Sequence, residues 1–276
     1  MQDFRITRIA DRTYSILDAG DSSFYVVEGD ERAAVIDTGI TPGGSIMPIV
    51  RKLTDKPVIL LLTHAHIDHM HHMDEFDEVY MSHKEFSMAP ESLEEMMGGK
   101  QLRLENTLPI STGSVINLGD ESLEVCEVGG HTPGSVAFYA KNRDLLFTGD
   151  AIGSGYGVWM QTLDSLPLEE YLDNLRAFLR WLVERGGRMR FWGGHSYQQF
   201  QSTLILHYNP VNLGLLCDLI DLVDGLVKGT IVGRASNADK IMSLTPALYA
   251  SFGRAEIQYR PENIRWKDNK QSVQEQ

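Results

Sequence analysis

Short apolar runs that end at glycine or at a polar residue recur along the chain. Val58–Leu62 is apolar throughout, as in a strand that is buried on both faces. Leu123–Val128 instead alternates between apolar and polar residues, which is typical of a strand with one buried face. Three more runs, at residues 33–36, 144–148 and 190–192, lead into turns that contain glycine. The pattern therefore predicts strands that each end at a sharp turn.

Apolar residues recur at helical spacing in the second half of the chain. They predict one helix over residues 167–185, with Pro167 near its start and two glycines past its end, and a second helix over residues 211–227. A shorter helix is expected near residues 45–54. Residues 229–256 are expected to be helical or mixed, with a helix beginning at Thr245-Pro246-Ala247. A chain of 276 residues with this pattern is of ordinary size for one layered α/β domain.

Composition narrows the partners that we expect. The net charge is −13, and no cluster of lysine and arginine forms a stripe that could bind nucleic-acid phosphates. The N-terminus lacks a basic region followed by an apolar one, and no apolar run approaches the length of a membrane span. We therefore expect a soluble cytoplasmic protein that acts on a small molecule and binds neither nucleic acid nor membrane.

The segment that follows the first apolar run is dense in potential metal ligands. Thr63-His64-Ala65-His66-Ile67-Asp68-His69 places three imidazoles and one carboxylate within six positions, directly after a predicted strand. Neutral imidazoles and carboxylates suit zinc, and mixed sites of this kind also tolerate manganese or iron. The alternative is a histidine-rich surface loop without a metal, because motif matches of this length also arise by chance.

Four more acids and histidines follow predicted strands elsewhere in the chain. His131 comes after Gly129-Gly130, Asp150 after Gly149 and His195 after Gly193-Gly194, so glycine lets the backbone turn before each one. Asp37 also follows a strand, and we expect it to support the site rather than to ligate. A lone residue of this kind is more often part of an ordinary turn, but their joint occurrence with the dense segment predicts one metal centre.

These residues, in this order, resemble the motifs of the metallo-β-lactamase superfamily over roughly residues 15–200. The resemblance implies a four-layer αβ/βα sandwich with two metal ions in a groove at one edge. It implies that His64, His66 and His131 hold one ion, that Asp68, His69 and His195 hold the other, and that Asp150 bridges both. It also implies a superfamily domain over residues 1–200 and a C-terminal helical extension over residues 201–276 that packs on it, lines the substrate pocket or forms a homodimer contact.

The local sequence around His131, Asp150 and His195 is similar to that of the glyoxalase II-like branch. In that family the tyrosine that matches Tyr197 helps to hold glutathione, but residues 153–159 here lack the basic residue that also does so. We therefore expect a glutathione thioester to be a poor substrate, and the central motif also disfavours β-lactam hydrolysis. Aromatic and polar residues near the motifs and in the extension are the candidate substrate contacts: Tyr156, Trp159, Tyr197 and His207.

The resemblance also suggests the chemistry. Two divalent ions, most simply Zn²⁺, can share one hydroxide and polarise the attacked carbonyl, while Asp68 both ligates and orients the nucleophile. This favours hydrolysis of a small ester, thioester or lactone. The alternatives are a phosphodiesterase for a small phosphorylated substrate, a di-iron redox protein, and a metal-binding protein without catalysis. His71 and His72 follow the ligand segment and are either substrate contacts or structural residues.

Overall fold

The computed structural model describes residues 4–41, 44–88, 106–154, 157–195, 211–236 and 246–265. The first of its three sheets has seven strands in chain order. The strands are β1 Arg5–Ala10, β2 Thr13–Leu17, β3 Ser23–Glu28, β4 Ala33–Ile36, β5 Val58–Leu61, β6 Val79–Met81 and β7 Leu108–Pro109. Pairing is antiparallel from β1 to β4 and parallel from β4 to β7.

The second sheet has five strands. In chain order they are β8 Val115–Asn117, β9 Ser122–Glu127, β10 Val136–Ala140, β11 Leu145–Gly149 and, after β12 Val158–Met160 of the third sheet, β13 Arg190–Gly193. Their order in space is β13-β11-β10-β9-β8, and β11 and β13 are parallel. The five strands that the apolar runs predict are therefore all present in these two sheets.

The two sheets pack face to face through one apolar cluster. Ile36 and Leu61 from the first sheet meet Phe138 and Phe147 from the second, and all four are fully buried. Side chains alternate along a strand, so the neighbours of these residues in β4 and β5 point to the other face of the first sheet. Burial on both faces explains why these strands are apolar throughout.

Helices cover the outer face of each sheet. α1 Met47–Val50 and α2 Ile67–Met70 pack on the first sheet, and α3 Leu168–Glu184 packs on the second. α4 Leu213–Lys228 packs against α3. The order helix, sheet, sheet, helix is the αβ/βα sandwich that the resemblance implies. Both long helices are confirmed within two residues, and the helix expected near residues 45–54 is shorter. Among the described residues no helix is long and apolar enough to cross a membrane.

The C-terminal part contains strands that the sequence pattern does not predict. β14 Arg234–Ala235, β15 Leu248–Phe252 and β16 Ala255–Tyr259 join β12 in a third sheet of order β12-β16-β15-β14. The helix expected from Thr245-Pro246-Ala247 is therefore wrong. β15 and β16 form a tight hairpin at Gly253, whose φ of +56° is easy only for glycine, and their apolar residues pack on α4. The division at residue 200 stays a prediction.

Candidate metal centre

The dense ligand segment begins where β5 ends. His66 has an extended backbone and precedes α2, so His64 and His66 lie in the loop while Asp68 and His69 lie on the first turn of the helix. The three histidines are buried, and Asp68 is about a quarter exposed. The strand end and the short helix therefore turn all four side chains to one edge of the sandwich.

One group of candidate ligands combines this segment with the loop after β9. The ring nitrogens of His64, His66 and His131 lie within 4.8 Å of one another. His131 Nε2 is 2.9 Å from His66 Nδ1. His64 Nε2 is buried and has no hydrogen-bond partner among the described residues. A buried imidazole nitrogen without a partner is costly, so this atom fits a metal ligand.

A second group lies beside the first. Asp68 Oδ2 is 3.4 Å from both His69 Nε2 and His195 Nε2, and the three residues are close enough to hold one ion. His69 Nε2 is buried and likewise has no hydrogen-bond partner in the described part of the chain. His195 reaches this group from the end of β13, in the other sheet.

Asp150 lies between the two groups. Its Oδ2 is 3.1 Å from His195 Nε2, 3.8 Å from His69 Nε2 and 3.9 Å from His131 Nε2. It also joins His64 and His69 in a third set of converging ligand atoms. One carboxylate oxygen therefore faces both groups, which is the position that the resemblance implies for a bridging ligand.

Two of the imidazole rings are fixed on their far side by a hydrogen bond to a backbone carbonyl. His131 Nδ1 donates to the Trp159 carbonyl at 2.6 Å, and His195 Nδ1 donates to the Asp21 carbonyl at 3.1 Å. Because a carbonyl oxygen can only accept, the proton of each ring lies on Nδ1. In a neutral ring the lone pair of Nε2 then faces the centre, as metal binding requires.

Asp37, the predicted supporting residue, contacts Thr63 and one candidate ligand. Its carboxylate accepts hydrogen bonds from the Thr63 amide at 2.8 Å, from the Thr63 hydroxyl at 2.8 Å and from His69 Nδ1 at 2.9 Å. The Thr63 hydroxyl in turn lies 3.0 Å from His64 Nδ1. Asp37 is buried. It orients His69 directly and His64 through the Thr63 hydroxyl, so it supports one histidine of each group.

The two groups differ in their charge state before a metal binds. Burial, reinforced by the neighbouring histidines, lowers the pKa of His66 to about 3 and holds the pKa of His64 well below its ordinary value. Burial also acts on His69, but Asp68 and Asp37 outweigh it and raise the pKa of His69. Against burial, Asp150 raises the pKa of His195 to about 9. A cation in the second group would therefore displace protons.

Several supporting residues carry no signal in the sequence. Ser154 Oγ donates to Asp150 Oδ1 at 2.7 Å, and Ser22 Oγ donates to Asp68 Oδ2 at 3.2 Å. The buried carboxylate of Glu85 accepts from the backbone amides of Ala65 and Gly134, so it joins the loops on either side of the first group. These contacts form only in the folded chain.

A cavity of about 480 Å³ opens over the centre, and Trp159, a predicted substrate contact, is among the residues that line it. Tyr156, Tyr197 and His207 lie outside the described residues, so their roles stay predictions. His72 is buried away from the ligands, with Nδ1 2.8 Å from Glu75 Oε1, which fits a structural role.

Comparison with known proteins identifies relatives of the chain. The acyl-coenzyme A thioesterase MBLAC2 of Bos taurus is 27% identical over 210 residues, which cover 63% of this chain and 72% of the relative. The probable metallo-hydrolase YqgX of Bacillus subtilis is 32% identical over 145 residues, 48% of this chain and 66% of the relative. A hydroxyacylglutathione hydrolase of Rhodobacter capsulatus is 28% identical over 191 residues, 65% of this chain and 64% of the relative.

A solved structure agrees in fold. The metallo-beta-lactamase from Pontibacter korlensis superposes with a TM-score of 0.58 at 18% identity, covering 80% of this chain and 99% of that one. Residues 17–180 match the family model of the metallo-beta-lactamase superfamily, whose members generally bind divalent metals. This match spans more than half of the chain and contains every candidate ligand except His195, so the chain belongs to the metallo-β-lactamase superfamily.

Proposed function

We propose that this protein is a hydrolase that holds two divalent metal ions and cleaves a small ester, thioester or lactone. The observation that carries the proposal is the position of Asp150 Oδ2 between two groups of converging ligand atoms. His64, His66 and His131 would hold one ion, Asp68, His69 and His195 the other, and Asp150 would bind both. Imidazoles with a few carboxylates favour Zn²⁺ over the harder cations.

Ions held there would lower the pKa of bound water and act as Lewis acids on the carbonyl oxygen under attack. The side chains around the ions would orient the attacking water and the substrate. Asp68 is the most exposed carboxylate of the centre and lines the cavity, so it can accept a hydrogen bond from the attacking water and orient it. Ser22 donates to the same carboxylate oxygen and fixes its direction. Trp159 fixes His131 through its carbonyl and offers its side chain to the substrate.

The choice of acyl compounds is supported by the relatives. The names of two of them describe hydrolysis of acyl thioesters, one of coenzyme A and one of glutathione. The cavity is large enough for a small substrate, since pockets for small molecules usually hold about 300–1,000 Å³. We therefore place the activity in acyl transfer to water, with the thioester first among the three bond types.

The proposal is tested by metal analysis followed by assays on reconstituted protein. Protein stripped with a chelator is loaded with Zn²⁺, Mn²⁺ or Fe²⁺ and assayed against an acyl thioester, a lactone, an aryl phosphodiester and a β-lactam. We expect two metal equivalents per chain and metal-dependent cleavage of the thioester above the other three. Preferential cleavage of the phosphodiester would replace the proposed reaction, and full metal loading without any hydrolysis would overturn it.

A further inference from the structure

The cavity over the centre has two kinds of wall. Candidate metal ligands line one part of it, including His66, Asp68 and Asp150. Ile40, Ile67 and Trp159 provide apolar surface elsewhere in the lining, between glycines and small hydroxyl residues. An acyl compound held at the centre by its carbonyl oxygen would therefore have apolar surface available for the rest of the molecule.

The charged side chains that line the cavity, histidines aside, are all acidic among the described residues. Among the described residues that line it, none is a lysine or an arginine, and the acidic residue Asp21, which is outside the ligand set, is one of them. A substrate carboxylate that reached beyond the metal ions would meet no cation on these walls. Burying such a charge without a partner is strongly unfavourable, whereas an apolar chain gains from the same walls.

Asp21 is held rigidly at this place. Its backbone has a φ of +73°, and its carbonyl accepts from His195 Nδ1 at 3.1 Å. The buried carboxylate of Asp18 accepts from the amides of Gly20 and Ser22, both at 2.9 Å, and from the amide of Ile40 at 2.6 Å. Asp18 thus fixes the residues on either side of Asp21 and joins their loop to the loop that carries Ile40.

We infer that the cavity selects acyl groups that are apolar and uncharged, and that Asp21 is a specificity-determining residue that rejects acyl groups ending in a carboxylate. This inference rests on the proposed function. The substrate class is then the ester or thioester of a monocarboxylic acid. Water adds to the acyl carbon, the bond from that carbon to oxygen or sulfur breaks, and the alcohol or thiol leaves with one proton of the water.

The test uses two thioesters of the uncharged thiol N-acetylcysteamine. The 4-methylpentanoyl and succinyl groups have the same number and arrangement of heavy atoms, but only the succinyl group carries a terminal charge. For the metal-loaded protein we expect kcat/KM for the 4-methylpentanoyl thioester to exceed that for the succinyl thioester by about tenfold or more. Equal values would overturn the inference and leave the proposed function standing.

Two substitutions assign the selectivity to residues. Asp21→Asn keeps a residue that tolerates positive φ, and we expect it to lower the ratio of the two kcat/KM values about fivefold, the effect of one partly exposed charge pair. Trp159→Ala should lower kcat/KM for the 4-methylpentanoyl thioester relative to the acetyl thioester by about tenfold. The control Asp11→Asn removes an exposed carboxyl group at the opposite end of β2 and should leave both ratios unchanged. An unchanged succinyl ratio in Asp21→Asn would refute the role of Asp21.

Binding separates this inference from the proposed function. If the loaded protein cleaves none of the thioesters, including the acetyl one, the proposed function fails. Calorimetry with 4-methylpentanamide and succinamate then measures the cavity alone. Tighter binding of the uncharged amide supports the selectivity, and equal or reversed affinity overturns it.

Discussion

The carboxylate of Asp37 satisfies three donors at once and turns two ligand histidines towards the centre. It does so with a φ of +58°, a conformation that aspartate and asparagine adopt more readily than most residues. Sequence position alone indicates a supporting residue here, because the acid follows a strand at the same edge as the ligands. Which atoms it supports depends on contacts across 26 and 32 residues of sequence.

We predict that Asp37→Asn weakens zinc binding about 10- to 100-fold, because the amide replaces one acceptor oxygen with a donor and misplaces His69. Affinity is measured by competition with a chromophoric chelator. Asp144→Asn is the matched control, since Asp144 also has a positive φ but accepts from Tyr139 away from the centre. Wild-type affinity in Asp37→Asn would show that the buried contacts do not position the ligand.

The ligands themselves give a second prediction at this scale. His66→Ala removes one nitrogen from the first group, whereas Asp150→Ala removes the oxygen that faces both groups. We expect both variants to lose turnover and to bind less metal than the wild type, with the larger loss of metal in Asp150→Ala. Metal content by mass spectrometry and the thioester assay measure the two effects, and full activity in either variant would refute the ligand assignment.

At the scale of elements, a short helical turn after β6 connects the two loops of the first group. Glu85 lies on this turn, and its two carboxylate oxygens accept hydrogen bonds from the backbone amides of Ala65 and Gly134. Burial, partly offset by these hydrogen bonds, raises the pKa of Glu85 to about 7. The folded protein therefore holds the proton of Glu85 more tightly than the unfolded chain does.

The sign of the pH dependence follows from this raised pKa. The contribution of Glu85 to stability is fully present below about pH 4.5 and is lost as the pH rises through about 7. We predict that the free energy of unfolding of the metal-free wild type falls relative to that of Glu85→Gln between pH 5 and 8. Urea titrations measure it, with the exposed Glu31→Gln as a control. A difference that is constant with pH would contradict the prediction.

The sequence predicts well those elements whose pattern of burial is regular along the element. β4 and β5 are apolar throughout because both faces are covered, and α3 shows its buried face at regular helical spacing. The candidate ligands at strand ends are likewise marked locally, by the turns that follow each apolar run. The hairpin of β15 and β16 is different, because its alternation is short and Thr245-Pro246 has the form of a helix start. Glu85 and Asp18 are unpredictable, since only the folded chain brings their amide partners to them.

At the scale of the whole molecule, both sheets contribute to the centre. His64, His66, Asp68 and His69 follow β5 of the first sheet, whereas His131, Asp150 and His195 follow strands of the second. Each group of candidate ligands includes residues from both halves of the sandwich. Metal binding would therefore stabilise the packing of the two sheets as well as prepare the site for chemistry.

We predict that zinc binding releases protons at pH 7 and becomes tighter as the pH rises. Since the pKa of His69 is raised and that of His195 is about 9, both rings carry protons that a metal must displace. Calorimetry in buffers of different ionisation enthalpy counts the released protons between pH 6.5 and 8. A proton count of zero would contradict the charge state described for the second group.

The ligands are spread over some 130 residues, from His64 to His195, and this spacing sets the order of events in biosynthesis. A nascent chain cannot bring either group of candidate ligands together until residues of the second sheet have left the ribosome and packed on the first. Under the proposed function, metal would therefore bind late, after both halves have assembled. A chain truncated before β9 would carry the most conspicuous motif of the protein and still be unable to complete a site.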